Sequence, residues 1–152
     1  SETLEGHYYT LQKRRYGGQL MHSVEYLTHY LNAAAAAVEK RLAKKTVCFN
    51  GRPTPAARTM HTIFRKFYAG RIQPYLSRVH RQGRSYLALM NRLAQQDEAP
   101  EAFLVYRTTQ LRLKNPQGPW ALFEQAIQHH AQTWQRLFEQ CGLSAAGPSP
   151  AR

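Results

Sequence analysis

The chain has 152 residues, 43% of them hydrophobic, a formal net charge of +12 and a pI near 10.2. That length suits one domain with a real core, and the apolar content argues against a disordered chain despite the charge. No apolar run approaches the length of a bilayer span, so no membrane span is expected. Cys48 and Cys141 show no CxxC spacing and no histidine at ligand distance in sequence. Reduced thiols in a cytoplasmic protein are therefore expected, with a single disulfide left open. The first residues are polar and acidic, which predicts no secretory or transit signal.

Residues 1–18 read as a basic and aromatic segment. Tyr8, Tyr9 and Tyr16 stand near Lys13, Arg14 and Arg15, and Gly17-Gly18 is expected to break the chain. From Gln19 to Lys45, Leu20, Val24, Leu27, Leu31, Ala34, Val38 and Leu42 recur at three and four, predicting a long amphipathic helix. "TVCFNGRPTP" is a connection, with a short extended piece at Val47–Phe49 before an Asn50-Gly51 turn. Thr54 followed by Pro55 is an N-cap signature. The next helix, 55–69, is expected to pack through Met60, Ile63, Phe64 and Phe67 and to stop at Gly70.

A second long helix, from near Pro74 to about Gln96, carries a stripe of Ile72, Tyr75, Leu76, Val79, Gly83, Tyr86, Leu87, Met90 and Leu93. Gly83 on that stripe suggests close approach of another backbone. Pro100 suits a first helical position. Residues 103–114 mix β-branched residues with helical Leu/Arg spacing, and helix is favoured over strand. Pro119 opens the last helix, whose stripe is Trp120, Phe123, Ile127, Ala131, Trp134, Leu137, Phe138 and Cys141. The composition of residues 144–152 is that of a flexible tail. The expected fold is all-α, a single-domain bundle of four or five helices over 19–143.

The charge is segregated. Between Glu39 and Asp97 no acid occurs, while thirteen cations do: Lys40, Arg41, Lys44, Lys45, Arg52, Arg58, Arg65, Lys66, Arg71, Arg78, Arg81, Arg84 and Arg92. An ordinary solvated face mixes signs, because i,i+4 pairs of opposite charge relieve repulsion. Segregated basicity instead creates a potential that attracts polyanions. The basic residues at the end of the first long helix also complement its dipole, a structural role that can coexist with binding.

Motifs for chemistry are scarce. No phosphate-binding loop, nucleophile elbow or HExxH occurs, and nine acids offer little for a metal site, so no enzyme, cofactor or metal is expected. His130 falls near the last helix's buried stripe and reads as a core histidine. His22, Glu25 and His29 have spacing that permits a metal set but lack further ligands. Tyr75 and Tyr86 project onto the core stripe. The pair 55–69 and 74–96 resembles a helix-turn-helix only weakly, and a backbone-tracking surface fits better than base readout. The glutamine face of the last helix, beside Trp120 and Trp134, is either a protein contact or plain solvated surface.

The expected function is non-catalytic nucleic-acid binding, as an accessory subunit of a nucleoprotein complex. Phosphates would be held by Lys13, Arg14, Arg15, Lys40, Lys44, Lys45, Arg52, Arg58, Arg65, Lys66, Arg71, Arg78, Arg81, Arg84 and Arg92. The alternative is an adaptor docking on an acidic protein or an anionic surface through the same residues.

Overall fold

The computed structural model describes Gly6, Tyr9 and residues 15–95 and 99–144. Lys13, Arg14 and the expected tail beyond Ser144 lie outside the described residues. The protein is all-α, as the periodicities predict, with one small hairpin among the described residues.

Helix α1 spans Tyr16–Lys44. It starts before Gly17-Gly18 and runs through both, so the expected break is absent. Two glycines cost about 1 kcal/mol each in a helix, and the burial of Leu20, Met21 and Val24 one turn later outweighs this. Its buried line continues through Leu27, Leu31, Ala35 and Val38, with Ala35 in place of the expected Ala34.

Strands β1 (Cys48–Phe49) and β2 (Arg52–Pro53) pair antiparallel, Cys48 opposite Pro53 and Phe49 opposite Arg52. Asn50 and Gly51 have φ of 50° and 69°, the two positive values that a type I′ turn requires. The sequence predicts the extended piece and the turn, and the structure adds the returning strand.

Helix α2 (Pro55–Ile63) begins as predicted, with Pro55 at its start and Thr54 Oγ1 accepting from the Ala57 amide at 3.4 Å. It does not stop at Gly70. A π-helical stretch, Phe64–Ile72, leads directly into α3 (Gln73–Leu93). Phe64 and Gln73, at the two junctions, keep right-handed helical angles. Residues 55–93 are thus one unbroken helical run, and the helix-turn-helix resemblance falls. A glycine stop needs a left-handed residue; here wider i→i+5 turns carry the chain through instead. Those turns also change the angular advance per residue. Phe64, Leu76, Val79 and Leu87 are buried, whereas Ile63, Phe67, Ile72 and Tyr75 are exposed by 49%, 43%, 42% and 39%. The expected inward packing of these last four residues is therefore corrected.

Helix α4 (Glu101–Tyr106) continues into a π-helical turn, Arg107–Leu111, so this segment is helix and not strand. Pro100 is its cap and not its first residue. Helix α5 spans Pro119–Gln140 and buries Trp120, Phe123, Ala126, His130, Thr133, Trp134, Leu137 and Phe138. Ala131 is exposed.

The residues group into two compact units. One draws on Ser1–Leu27 and Arg78–Phe123. In it, Trp120 packs on His80 with ring centroids 5.1 Å apart and fills the space over Gly83. A Cβ at Gly83 would lie 2.5 Å from the Trp120 ring, so the close approach is by an indole and not by a backbone. Asn91 Nδ2 donates to the Leu87 and Leu111 carbonyls at 2.8 and 2.9 Å, fixing the end of the 107–111 turn.

The other unit draws on Thr28–Ser77 and Glu124–Arg152. Its core holds Val38, Val47, Ala57, Phe64, Trp134, Leu137 and Phe138. Here Cys48 and Cys141 form a disulfide, their Cα atoms 5.2 Å apart. The expectation of reduced thiols is corrected. The hairpin delivers Cys48, and the end of α5 delivers Cys141, at a spacing within the usual disulfide range.

Candidate functional site

The cations are placed by the same periodicity that buries the apolar stripes. In the unit holding Thr28–Ser77, Lys40, Lys44, Lys45, Arg52, Arg58, Arg65, Lys66 and Arg71 are all exposed. In the other unit Arg78, Arg81, Arg84 and Arg92 are exposed along α3. Arg15 is exposed in the turn before α1, with a φ of 48°. Arg41 is half-buried and turned to structural use: its Nη1 donates to the Lys45 carbonyl at 2.6 Å, closing the end of α1. Among the described residues Arg81, Arg84 and Arg92 make no ion pair. Their charge is open to an external anion.

Aromatic side chains accompany some of these cations. Phe67, exposed in the π-helical stretch, has Lys66 Nζ 5.7 Å and Arg71 Cζ 5.5 Å from its ring centroid. Phe49, 73% exposed, stands opposite Arg52 in the hairpin. Tyr86 is half-buried against Tyr16, centroids 6.1 Å apart, in keeping with its core position. Trp120 and Trp134 are 2% and 9% exposed. They belong to the core, which leaves only the glutamines of α5 as the surface expected there. A cleft of about 620 Å³ is walled by Phe64, Tyr68, Trp134 and Phe138, with Gln135 and Glu139 at its rim.

Sequence reasoning misses one polar cluster. Glu39 Oε1 accepts from His129 Nε2 at 2.9 Å, Thr133 Oγ1 at 3.2 Å and Arg136 Nη2 at 3.3 Å. The His129 hydrogen bond, above all, holds the Glu39 carboxyl below its usual range, against the opposing effect of desolvation. Ninety residues separate Glu39 from His129, so no local signal could have paired them. The arrangement is an ion-pair clasp between α1 and α5. No cluster of three or more metal-ligating side chains is found among the described residues.

His130 is the core histidine that its position predicts, 3% exposed, with its ring 4.4 Å from that of Tyr68. Trp134 Nε1 donates to its Nε2 at 3.0 Å. That bond requires the neutral tautomer with the proton on Nδ1, which finds no acceptor among the described residues. Burial, aided by the neighbouring His129, lowers its pKa from 6.5 to about 4. The unfolded chain takes up this proton near 6.5 and the folded one only near 4. Stability is therefore full above pH 6.5 and declines as pH falls towards 4, by about 3 kcal/mol. Glu39, with a carboxyl pKa depressed from 4.5, adds its own loss from the acid end of that window downward. Urea midpoints at pH 7 and pH 5 should show the decline, and His130→Gln should flatten it. An undiminished slope in that variant would place the proton uptake elsewhere.

The fold and these side chains define an all-α, strongly cationic protein, most of whose described Lys and Arg residues face solvent. No helix among the described residues is long and apolar enough to cross a membrane. The chain belongs to the family described as protein of unknown function, DUF3080, which matches residues 1–145. No curated protein and no solved structure matches it.

Proposed function

We propose that this protein is a non-catalytic nucleic-acid-binding protein that holds phosphates through its exposed cations. One observation carries the reading: the acid-free interval between Glu39 and Asp97 places twelve of its thirteen Lys and Arg residues on the exposed surface. Exposed cations release condensed counterions when they meet the phosphates of a polyanion. Affinity for single-stranded and duplex oligonucleotides across a salt series is the test. The log–log slope should be roughly 0.7–0.9 per neutralised phosphate. Weak binding without a slope overturns the reading.

The triple change Arg81→Gln, Arg84→Gln, Arg92→Gln probes it further. Exposed substitutions away from special features change stability by about 0.5 kcal/mol or less. The melting temperature should hold, while the salt slope should fall by roughly two to three units if all three touch phosphate. An unfolded triple variant would make these arginines structural.

The disulfide favours a second reading, in which the same cations dock on an anionic surface. Disulfides persist in oxidising compartments and are rare in the cytosol, so the Cys48–Cys141 bond removes the ground for expecting a cytoplasmic protein. Pull-down after nuclease treatment separates the two: partners retained without nucleic acid favour the second.

A further inference from the structure

Ile63, Phe67 and Ile72 follow one another at intervals of four and five along the helical run, across the start and the end of its π-helical stretch. All three are at least 42% exposed. Such a line is a surface feature that a soluble helix ordinarily avoids. Lys66 and Arg71 lie over the Phe67 ring, so the apolar line carries its own cations. The hairpin repeats the pattern independently. Phe49 and Arg52 are cross-strand partners and share a face of the ribbon, while Cys48 beside them is buried and tied to Cys141. Lys44 and Lys45, both exposed, precede the hairpin.

We infer that these two elements are anchors for an anionic lipid surface. The cations meet phosphate headgroups, and the apolar side chains enter the boundary of the acyl region beneath them. Three observations favour lipid over nucleic acid here. Ile63 and Ile72 have no flat face on which a base can stack, yet suit hydrocarbon. Lysine and arginine beside an exposed ring can keep their charged heads at headgroup level while the ring inserts. The hairpin bearing Phe49 is braced by a disulfide, which fits an oxidising compartment. The charge of these elements suits such a surface, since the stretch between Glu39 and Asp97 that supplies them holds thirteen cations and no acid. This deepens the second reading, docking on an anionic surface, by adding the apolar anchors, and it does not depend on the nucleic-acid reading.

Sedimentation of the full chain with vesicles of phosphatidylcholine, alone or mixed with phosphatidylglycerol, is the direct experiment. Binding is expected to the mixed vesicles, weakened by salt, and much less to the neutral ones. Phe49→Ser and Phe67→Ser, both at exposed positions, should keep the melting temperature. Each should weaken binding to the mixed vesicles by about tenfold, the effect of withdrawing part of a phenyl ring from an apolar phase. No binding at low salt overturns the inference, and so do serine variants that bind like wild type. Loss of oligonucleotide binding in those variants, with vesicle binding unmoved, would assign the rings to unpaired bases. The oligonucleotide titration fails or succeeds separately, so the two readings stand or fall apart.

Discussion

Reduction of the Cys48–Cys141 bond should lower the stability of this protein by about 3–5 kcal/mol. The two cysteines are 93 residues apart in sequence, so the bond closes most of the chain into a loop. By loop-closure entropy, a link of that span removes about 4–5 kcal/mol of freedom from the unfolded state. The folded state loses little when the bond opens, because both sulfurs remain buried among Val38, Val47, Phe64 and Phe138. For a chain of this length the melting temperature should drop on the order of 10 °C. Thermal unfolding with and without dithiothreitol measures it, beside the double variant Cys48→Ala, Cys141→Ala. That variant should match the reduced protein and ignore the reductant. Equal midpoints in oxidised and reduced protein, or two free thiols titrated in the native oxidised sample, would show that the bond contributes nothing. The result also bears on the anionic-surface reading, since a protein that needs this bond is poorly suited to a reducing compartment.

What was legible in the sequence was local. The buried line of α1 and that of α5 follow from apolar spacing, because a helix without such a face has nothing to bury. Thr54-Pro55 and Asn50-Gly51 were legible because each pair answers a backbone requirement within four residues. The exposure of Arg78, Arg81 and Arg92 follows from their lying opposite Leu76, Val79 and Leu87 on α3, and that of Arg84 from its place at the edge of the same polar face. The failures are of another kind. Gly70 reads as a stop on local propensity, but tertiary burial of Phe64 on one side and Leu76 on the other favours continuing the helix through it. The widened turns that result move Phe67, Ile72 and Tyr75 outward, which a constant 100° per residue cannot anticipate, whereas Ile63 precedes them and lies about 100° around the helix from buried Phe64. Gly83 announces a close neighbour without naming it, and Trp120 is 37 positions away in sequence. Cys48 with Cys141, and Glu39 with His129, are joined only by the fold. Charge segregation points to a polyanion, yet the apolar residues exposed beside those charges emerge only in three dimensions.

Val79→Asp should unfold the unit that contains it. Val79 is 3% exposed on α3, flanked by the exposed Arg78 and the half-buried His80. The substitution removes an apolar side chain whose burial contributes about 1.5–3 kcal/mol. It then places a carboxylate where water is excluded, at a cost of several kcal/mol unless a cation reaches it. The α3 arginines project away from the buried stripe, so none is placed to rescue the charge. The sum approaches the whole stability of a typical domain, about 5–15 kcal/mol. Far-UV circular dichroism at neutral pH should therefore show loss of helix or a broad, low transition. Val79→Asn, nearly the same shape without the charge, separates the two contributions and should be damaging but milder. Because burial raises a carboxyl pKa, the aspartate variant should recover relative to the asparagine one as pH falls towards 5. The opposite outcome is equally clear. A Val79→Asp protein that melts like wild type, with Arg81→Asp destabilised instead, would reverse the faces of α3. The arginines proposed to meet an external polyanion would then be the helix's inward side.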